Sequence, residues 1–208
     1  LCFESDLLPS EERSPAHLAV AIDRSSSMGG PQLAAAKEAT VAIARKLGPA
    51  DRLAVVAFDQ TVDLICKPKP MTEANRGKVI EAIEGIQVGL GTNLYGGFEQ
   101  AANALKGVHV KGACPKILLL TDGLPSRGTR DRRAFVSLAE TLRESGIMSS
   151  TIGFGFGYDE QQLIDIALAG DGNYHFVHNT GDLSDIFSIE LKATQEIELR
   201  DCQLTVKP

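Results

Sequence analysis

The sequence predicts an α/β domain built on a mostly parallel sheet, and two observations support that class. Short apolar runs rich in β-branched residues alternate about six times with longer segments of helical periodicity, which is typical of parallel-sheet domains. The chain has 208 residues, of which 43% are hydrophobic, so it is long enough to bury a substantial core. We therefore expect one compact domain.

The first strand and the first helix are the most clearly marked elements. The apolar run HLAVAI (17–22) predicts a strand buried on both faces, and the helix after it opens with Pro31, which is favoured in a first turn. Gly48 and Pro49 end that helix. One face of the helix carries apolar and small residues at helical spacing: Leu33, Ala36, Thr40, Ile43 and Leu47.

The remaining elements follow the same alternation. Apolar runs predict five further strands at 52–58, 61–66, 116–121, 148–155 and 173–178. The strand at 61–66 pairs with the one before it through a tight turn. Helical periodicity predicts helices over 73–86, 94–106, 131–145, 159–169 and 182–195.

Three apolar strands end in the same way, with an aspartate directly after the last apolar residues. These are Asp23, Asp59 and Asp122. In open parallel sheets the functional loops lie at the carboxyl ends of the strands, where the strand order reverses. If the first three strands extend one way and the later ones the other way, Asp23 and Asp122 face each other across that point.

Two facing carboxylates repel each other unless a positive charge lies between them. Magnesium prefers six oxygen ligands, usually one or two carboxylates with hydroxyls and waters. The loop DRSSSMGG supplies Asp23, Ser25 and Ser27 at alternate positions, and the glycines after them allow a sharp turn. The alternative interpretation is that these residues only cap and turn the chain before the next helix.

The chain resembles the von Willebrand factor A domains, also called integrin I-like domains. Their metal ion-dependent adhesion site (MIDAS) combines an Asp-x-Ser-x-Ser loop, a threonine in a middle loop and an aspartate after the central strand. This sequence has DRSSS at 23–27, GLGTNL with Thr92, and LLLTDG with Asp122. The resemblance covers 17–195 and is greatest to bacterial members. Ser26 departs from the glycine usual there, which affects the loop geometry rather than the ligands.

The resemblance implies a doubly wound, mostly parallel sheet of about six strands flanked by helices, with one short antiparallel edge strand. It also implies that Ser25 and Ser27 bind a divalent cation directly. Thr92, Asp23 and Asp122 would bind it directly or through water. The cation is expected to be magnesium, with manganese or calcium as alternatives. It would accept an aspartate or glutamate oxygen from a partner protein, and the helix at 182–195 would shift on binding.

Two other functions remain open from the sequence. The metal could be purely structural, or the chain could be a magnesium-dependent phosphoryl-transfer hydrolase. A phosphatase of the dehalogenase type would need a second carboxylate two residues after Asp23, where this chain has Ser25, and a lysine to hold the phosphoryl group. No G-x-S-x-G sequence accompanies the serines. We therefore predict a binding module rather than an enzyme.

Charge and hydropathy restrict the partners. The net charge is −6, which disfavours nucleic acid and anionic membranes. No apolar run approaches the roughly 20 residues that span a bilayer, so no membrane insertion is expected. The cluster RGTRDRR (127–133) is either a solvated loop and helix start or a feature that steers an acidic partner toward the metal.

The chain is expected to be part of a longer multidomain protein. We divide it into an extension or strand at 1–16, the domain at 17–195, and a strand leading to a following region at 196–208. The four cysteines include no CxxC pair. Free thiols favour a cytoplasmic location, whereas a Cys2–Cys202 disulfide would indicate an extracellular or periplasmic one.

Three further features suggest simpler roles. The glycines of GFGFG (153–157) lack the third glycine of a dinucleotide fingerprint, so this segment reads as a strand end and turn. His175 and His178 lie three apart in a strand and point to opposite faces, which disfavours a shared metal. Asp59 is interpreted as a turn carboxylate, with a supporting role near the metal as the alternative.

Overall fold

A computed structural model describes residues 13–106 and 112–195, and within these ranges the chain forms six strands and six α-helices. The strands are β1 (Ala16–Asp23), β2 (Arg52–Phe58), β3 (Val62–Pro70), β4 (Cys114–Thr121), β5 (Met148–Phe154) and β6 (Asp171–Val177). The helices are α1 (Pro31–Lys46), α2 (Glu73–Glu84), α3 (Leu94–Leu105), α4 (Arg132–Glu144), α5 (Glu160–Ala169) and α6 (Leu183–Gln195).

The six strands form one sheet in the order β3-β2-β1-β4-β5-β6. β1 runs parallel to both β2 and β4, whereas β3 pairs with β2 in the antiparallel direction. The strand order therefore reverses at β1, as expected of a doubly wound sheet. The predicted fold class, including the antiparallel edge strand, is confirmed.

Two apolar layers cover the two faces of the sheet. Alternate residues of β1 point to opposite faces, so Leu18 and Val20 join one layer while Ala19 and Ala21 join the other. Helices α1, α2 and α6 pack on the first face. Helices α3, α4 and α5 pack on the second. Since both faces are covered, β1 is buried along its whole length.

Polar residues begin four of the helices, and three of these helices, α3, α4 and α5, start at the carboxyl edge of the sheet, whereas α2 starts at the opposite edge after β3. The side chains of Thr72, Asn93, Asp131 and Asp159 each accept a hydrogen bond from a backbone N–H in the first turn of α2, α3, α4 and α5. α1 differs, because Gly30 precedes it with a φ of 84° and Pro31 occupies its first turn. The loops at the carboxyl edge are therefore fixed by their own helix starts.

The main difference from the sequence-based expectation is the length of β3. We predicted a strand over 61–66, but β3 continues to Pro70, which pairs with Arg52. Pro68 and Pro70 are unfavourable in a central strand, because proline cannot donate a ladder hydrogen bond. An edge strand tolerates proline, since one of its sides has no neighbouring strand.

Some expectations fall on residues that the structure does not describe. Residues 1–12 and 196–208 lie outside the described residues, and so does the suggested Cys2–Cys202 disulfide. Cys66 and Cys114 are described and carry free thiols. In the described part of the chain, every helix is too short or too polar to cross a bilayer.

Candidate metal centre

The loop after β1 gathers three of the predicted side chains on one side. Asp23 is the last residue of β1 and is fully buried, and its Oδ1 accepts a hydrogen bond from the backbone N–H of Ser25 at 2.8 Å. A short 3-10 turn at Ser26–Met28 then turns the chain back. The hydroxyl oxygens of Ser25 and Ser27 lie 3.0 Å apart as a result.

These serines do not cap a helix. Ser25 precedes the 3-10 turn without a side-chain hydrogen bond to it, and α1 is preceded by Gly30. The alternative interpretation, in which the loop serves only as cap and turn, therefore lacks its expected hydrogen bonds. The Ser25 and Ser27 hydroxyls instead face each other and the end of the neighbouring strand.

Asp122 joins this group from β4. Because β4 lies directly beside β1, with Ile22 opposite Leu120, the two strand ends meet at the same edge. The Ser27 hydroxyl donates a hydrogen bond of 2.7 Å to Oδ1 of Asp122. Hydrogen bonds made by Ser25 and Ser27 thus connect the two strand ends.

Thr92 approaches from the loop between α2 and α3. Its backbone N–H donates to the hydroxyl of Ser126 at 2.8 Å, and its carbonyl accepts from the N–H groups of Ser126 and Arg127. A Cβ atom built at Gly123 would lie 3.6 Å from the Ser27 hydroxyl and 4.0 Å from the Thr92 hydroxyl. The structure therefore brings the Thr92 hydroxyl to the same edge as the other four predicted residues.

Within the described ranges, no cationic side chain compensates the charge of the two carboxylates. Burial raises the pKa of Asp23 to about 6, against hydrogen bonds from Thr121 and Ser25, and the charge of Asp122 adds to the rise. Burial also raises the pKa of Asp122, although the hydrogen bond from Ser27 opposes it. Among the described residues, no lysine, arginine or histidine forms an ion pair with either one.

The donor set fits a hard divalent cation. It consists of two carboxylates and three hydroxyls, which are the oxygen ligands that magnesium prefers. It contains fewer acidic groups than many metal sites, and no cluster of three or more His, Cys, Asp or Glu in the described ranges could hold a metal. Hydroxyls therefore supply three of the five candidate ligand side chains.

Sequence reasoning missed one residue that touches the site. Thr121 is the last residue of β4, and its hydroxyl donates to Oδ2 of Asp23 at 2.6 Å. With the Ser25 N–H on Oδ1, this bond fixes both oxygens of the Asp23 carboxylate. The position of Thr121 directly before Asp122 placed it at the same strand end, but the sequence did not tell which acceptor its hydroxyl would meet.

Asp59 fixes the loops beside the site. Its Oδ1 accepts hydrogen bonds from the backbone N–H and the hydroxyl of Thr61, and its Oδ2 accepts from the N–H of Leu90. Burial raises the pKa of Asp59, but these bonds and the charge of Arg24 outweigh it, so the pKa lies below its ordinary value. Arg24 also pairs with Asp63. Asp59 thus has the turn role that we predicted.

The histidines and the glycine-rich segment lie outside this group. His175 bonds Glu190, whereas the ring of His178 lies beside Phe156 and Phe176. Gly155 takes a φ of 62° directly after β5, so the segment GFGFG is the predicted strand end and turn.

Comparison with known proteins gives a consistent family match. The family model of the von Willebrand factor type A domain matches residues 17–189. The uncharacterized protein YfbK of Escherichia coli is 27% identical over 187 residues, which cover 88% of this chain and 32% of YfbK. The E3 ubiquitin-protein ligase WAV3 of Arabidopsis thaliana is 31% identical over 154 residues, which cover 73% of this chain and 21% of WAV3.

One solved structure with the same fold is proximal thread matrix protein 1 from the mussel byssus, described with a zinc-occupied MIDAS motif. It matches with a TM-score of 0.71 and 23% identity, covering 87% of this chain and 46% of the other. At that identity the likeness shows the fold alone. This chain spans less than half of the length of each of these three proteins.

Proposed function

Because the chain belongs to the von Willebrand factor type A domain family, we propose that it binds a divalent cation at the carboxyl edge of its sheet and uses it to bind an acidic residue of a partner protein. Members of the family are generally interaction modules, and they often bind a metal at a MIDAS. In this chain the ligands would be Asp23, Ser25, Ser27, Thr92 and Asp122.

One observation carries the proposal. The Ser27 hydroxyl bridges to Asp122 while Asp23 positions the backbone of Ser25, so oxygens from β1 and β4 converge beside two buried carboxylates. Those carboxylates have raised pKa values and lack a cationic partner in the described part of the chain. A bound cation would supply the missing positive charge.

Each residue would have a distinct role. Ser25 and Ser27 would bind the metal through their hydroxyls, and Thr92, Asp23 and Asp122 would bind it directly or through water. Thr121 would orient the Asp23 carboxylate through its hydrogen bond to Oδ2. When bound, the cation supplies an incompletely neutralised charge with an open coordination position for a carboxylate oxygen. We favour magnesium, with manganese or calcium as alternatives.

The rival functions have less support. A hydrolase that transfers phosphoryl groups would need a lysine near Asp23, and in the described residues none forms a hydrogen bond with Asp23 or Asp122. A purely structural metal would not require the exposed hydroxyl that Ser27 places at this edge.

Three further parts of the proposal concern the whole protein. The domain spans 17–195, the chain is part of a longer protein, and the free thiols of Cys66 and Cys114 favour a cytoplasmic location.

The proposal is tested by calorimetric titration of magnesium, manganese, calcium and zinc into metal-stripped protein. We expect saturable binding that is lost in Asp23→Ala and in Ser25→Ala. Ser26→Ala is the matched control, because Ser26 lies between the two ligand serines and is exposed. Circular dichroism establishes that each variant is folded. Equal binding by Asp23→Ala, or no binding by the unaltered chain, would overturn the proposal.

A further inference from the structure

Exposed apolar side chains are concentrated at the edge of the sheet that carries the candidate metal centre. Seven large apolar side chains are exposed in the described part of the chain, and four of them lie on the loops at this edge of the sheet. We call these four the apolar rim: Val88, Leu90, Leu124 and Phe156. Leu90 is 64% exposed and Phe156 is 85% exposed. Clustered exposure of this kind is typical of protein interaction surfaces.

The residues of the apolar rim lie beside the loops that carry the candidate metal ligands. The Cγ2 atom of Val88 would lie 3.6 Å from a Cβ atom built on Gly29, the residue directly after the Ser26–Met28 turn. Leu124 follows Asp122 by two residues. A Cβ at Gly157 would lie 2.7 Å from the Asp122 carbonyl oxygen, so the loop that bears Phe156 rests directly on the Asp122 backbone.

Phe156 also forms one wall of an aromatic groove. Its ring centroid lies 5.5 Å from that of Phe176 and 6.2 Å from that of His178. The groove has a volume of about 210 Å³ and is lined by Gly155, Phe156, Tyr158, Glu160 and Phe176. That volume suits one large apolar side chain from another molecule, because aromatic walls favour apolar and aromatic groups.

Positive charge accompanies the rim. Arg127 and Arg130 are exposed in the loop after β4, and neither forms an ion pair with another described residue, whereas Arg132 pairs with Asp165. The Cγ atom of Arg127 would lie 3.6 Å from a Cβ atom built on Gly91, next to Leu90. In a chain with a net charge of −6, two exposed arginines that form no ion pair with a described residue favour an acidic partner at this edge.

We propose that the partner is an acidic protein segment that also carries large apolar side chains. One acidic residue would reach the metal centre, a neighbouring apolar or aromatic side chain would contact the apolar rim and the aromatic groove, and a further acidic residue would pair with Arg127 or Arg130. This inference rests on the proposed function, since it assumes that the acidic residue binds the metal.

The test is a selection from a random library of displayed 12-residue peptides on the magnesium-loaded protein, with elution by EDTA. We expect enriched peptides to combine Asp or Glu with Leu, Phe, Tyr or Trp nearby. Enriched peptides that are acidic but contain no large apolar residue would overturn this inference and leave the proposed function intact. Apolar peptides that bind equally with EDTA present, or no enrichment at all, would also overturn it.

Affinities of a selected peptide for variants then locate the contact. We expect losses of roughly tenfold or more in Phe156→Ser and Leu124→Ser, and a similar loss in Arg127→Glu/Arg130→Glu. The matched controls are Leu168→Ser, which changes an exposed leucine on α5, and Lys78→Glu on α2. Calorimetry must show that each variant still binds magnesium, which separates this surface from the metal centre itself.

Equal affinity in Phe156→Ser and Leu168→Ser would overturn the inference. Sedimentation of the unaltered protein tests whether a second copy of the chain, rather than an acidic partner, occupies this surface. A concentration-dependent dimer that Phe156→Ser abolishes would show that the rim joins two copies of the chain, and this too would overturn the inference.

Discussion

His17 at the start of β1 makes the stability of the domain sensitive to mildly acidic pH. Its ring is fully buried, and neither ring nitrogen has a hydrogen-bond partner among the described residues. Burial, with a smaller contribution from the charge of Arg52, lowers the pKa of His17 to about 4. The unfolded chain binds the same proton near pH 6.5. Between these two values the unfolded state therefore takes up more protons than the folded state.

We expect His17 to reduce the free energy of unfolding as the pH falls from about 6.5 to about 4, by up to about 3 kcal/mol. Urea denaturation across this pH range measures the free energy of unfolding of the unaltered chain and of His17→Leu, and the difference between the two pH dependences is the contribution of His17. Comparing the two removes contributions from other groups that titrate there, Asp23 among them. His178→Leu, which removes an exposed histidine, is expected to keep the original slope. An unchanged slope in His17→Leu would contradict the prediction.

For single residues, the sequence predicted the candidate metal ligands better than it predicted the residues that position those ligands. Asp23, Ser25, Ser27 and Asp122 stand at strand ends and in one short loop, so their position along the chain determines their neighbours. Thr121 and Ser126 could not be found in this way, because a strand or loop pattern does not tell which hydroxyl will meet which acceptor. Those contacts depend on how β1 and the loop of Thr92 lie against β4 in three dimensions.

Among the elements, α6 is attached to the sheet by a buried carboxylate. Glu190 is fully buried and accepts hydrogen bonds from Lys116 on β4, Ser150 on β5, and Asn173 and His175 on β6. Burial raises its pKa, but the bond from His175 and the charge of Lys116 outweigh that effect, so the pKa falls to about 2. Any shift of α6 along its axis would separate Glu190 from these donors, which makes the helix movement implied by the family resemblance costly here.

Replacing Glu190 is expected to destabilise the domain strongly. Glu190→Leu leaves Lys116 buried without a counter-charge, which typically costs about 3–5 kcal/mol of the free energy of unfolding. The double variant Glu190→Leu/Lys116→Met removes both charges and is expected to recover part of that loss. Urea denaturation of both variants at neutral pH measures the difference. A double variant that is no more stable than Glu190→Leu would contradict this account of the pair.

The helices and most strands were predictable because local signals agree with tertiary burial. α1 begins at Pro31, and four other helices start at a polar cap. β3 was not fully predictable, because its prolines are tolerated only where the strand lies at an edge, and strand order is a property of the whole sheet. β6 likewise begins earlier than predicted, at Asp171, whose φ of 49° is unusual for a residue other than glycine.

For the molecule as a whole, metal binding and folding should be coupled. A cation that binds only the folded state adds about 2.7 kcal/mol of stability at 100 times its dissociation constant. In a chain of this size, that is expected to raise the Tm by roughly 5–10 °C. Calorimetric melting with magnesium and with EDTA measures the rise. Ser26→Ala should keep it and Asp122→Ala should lose it, whereas a rise that persists in Asp122→Ala would place the metal elsewhere.

The prolines of β3 have a consequence for the behaviour of the protein at high concentration. An exposed edge strand can recruit a strand from another molecule and so start sheet-to-sheet aggregation. Pro68 and Pro70 have no N–H to offer such a strand, and Lys67 and Lys69 between and before them are exposed charges that it would have to bury or approach. β3 therefore protects its own edge of the sheet. At high protein concentration, we expect aggregation by strand pairing to start less readily at β3 than at the opposite edge strand, β6.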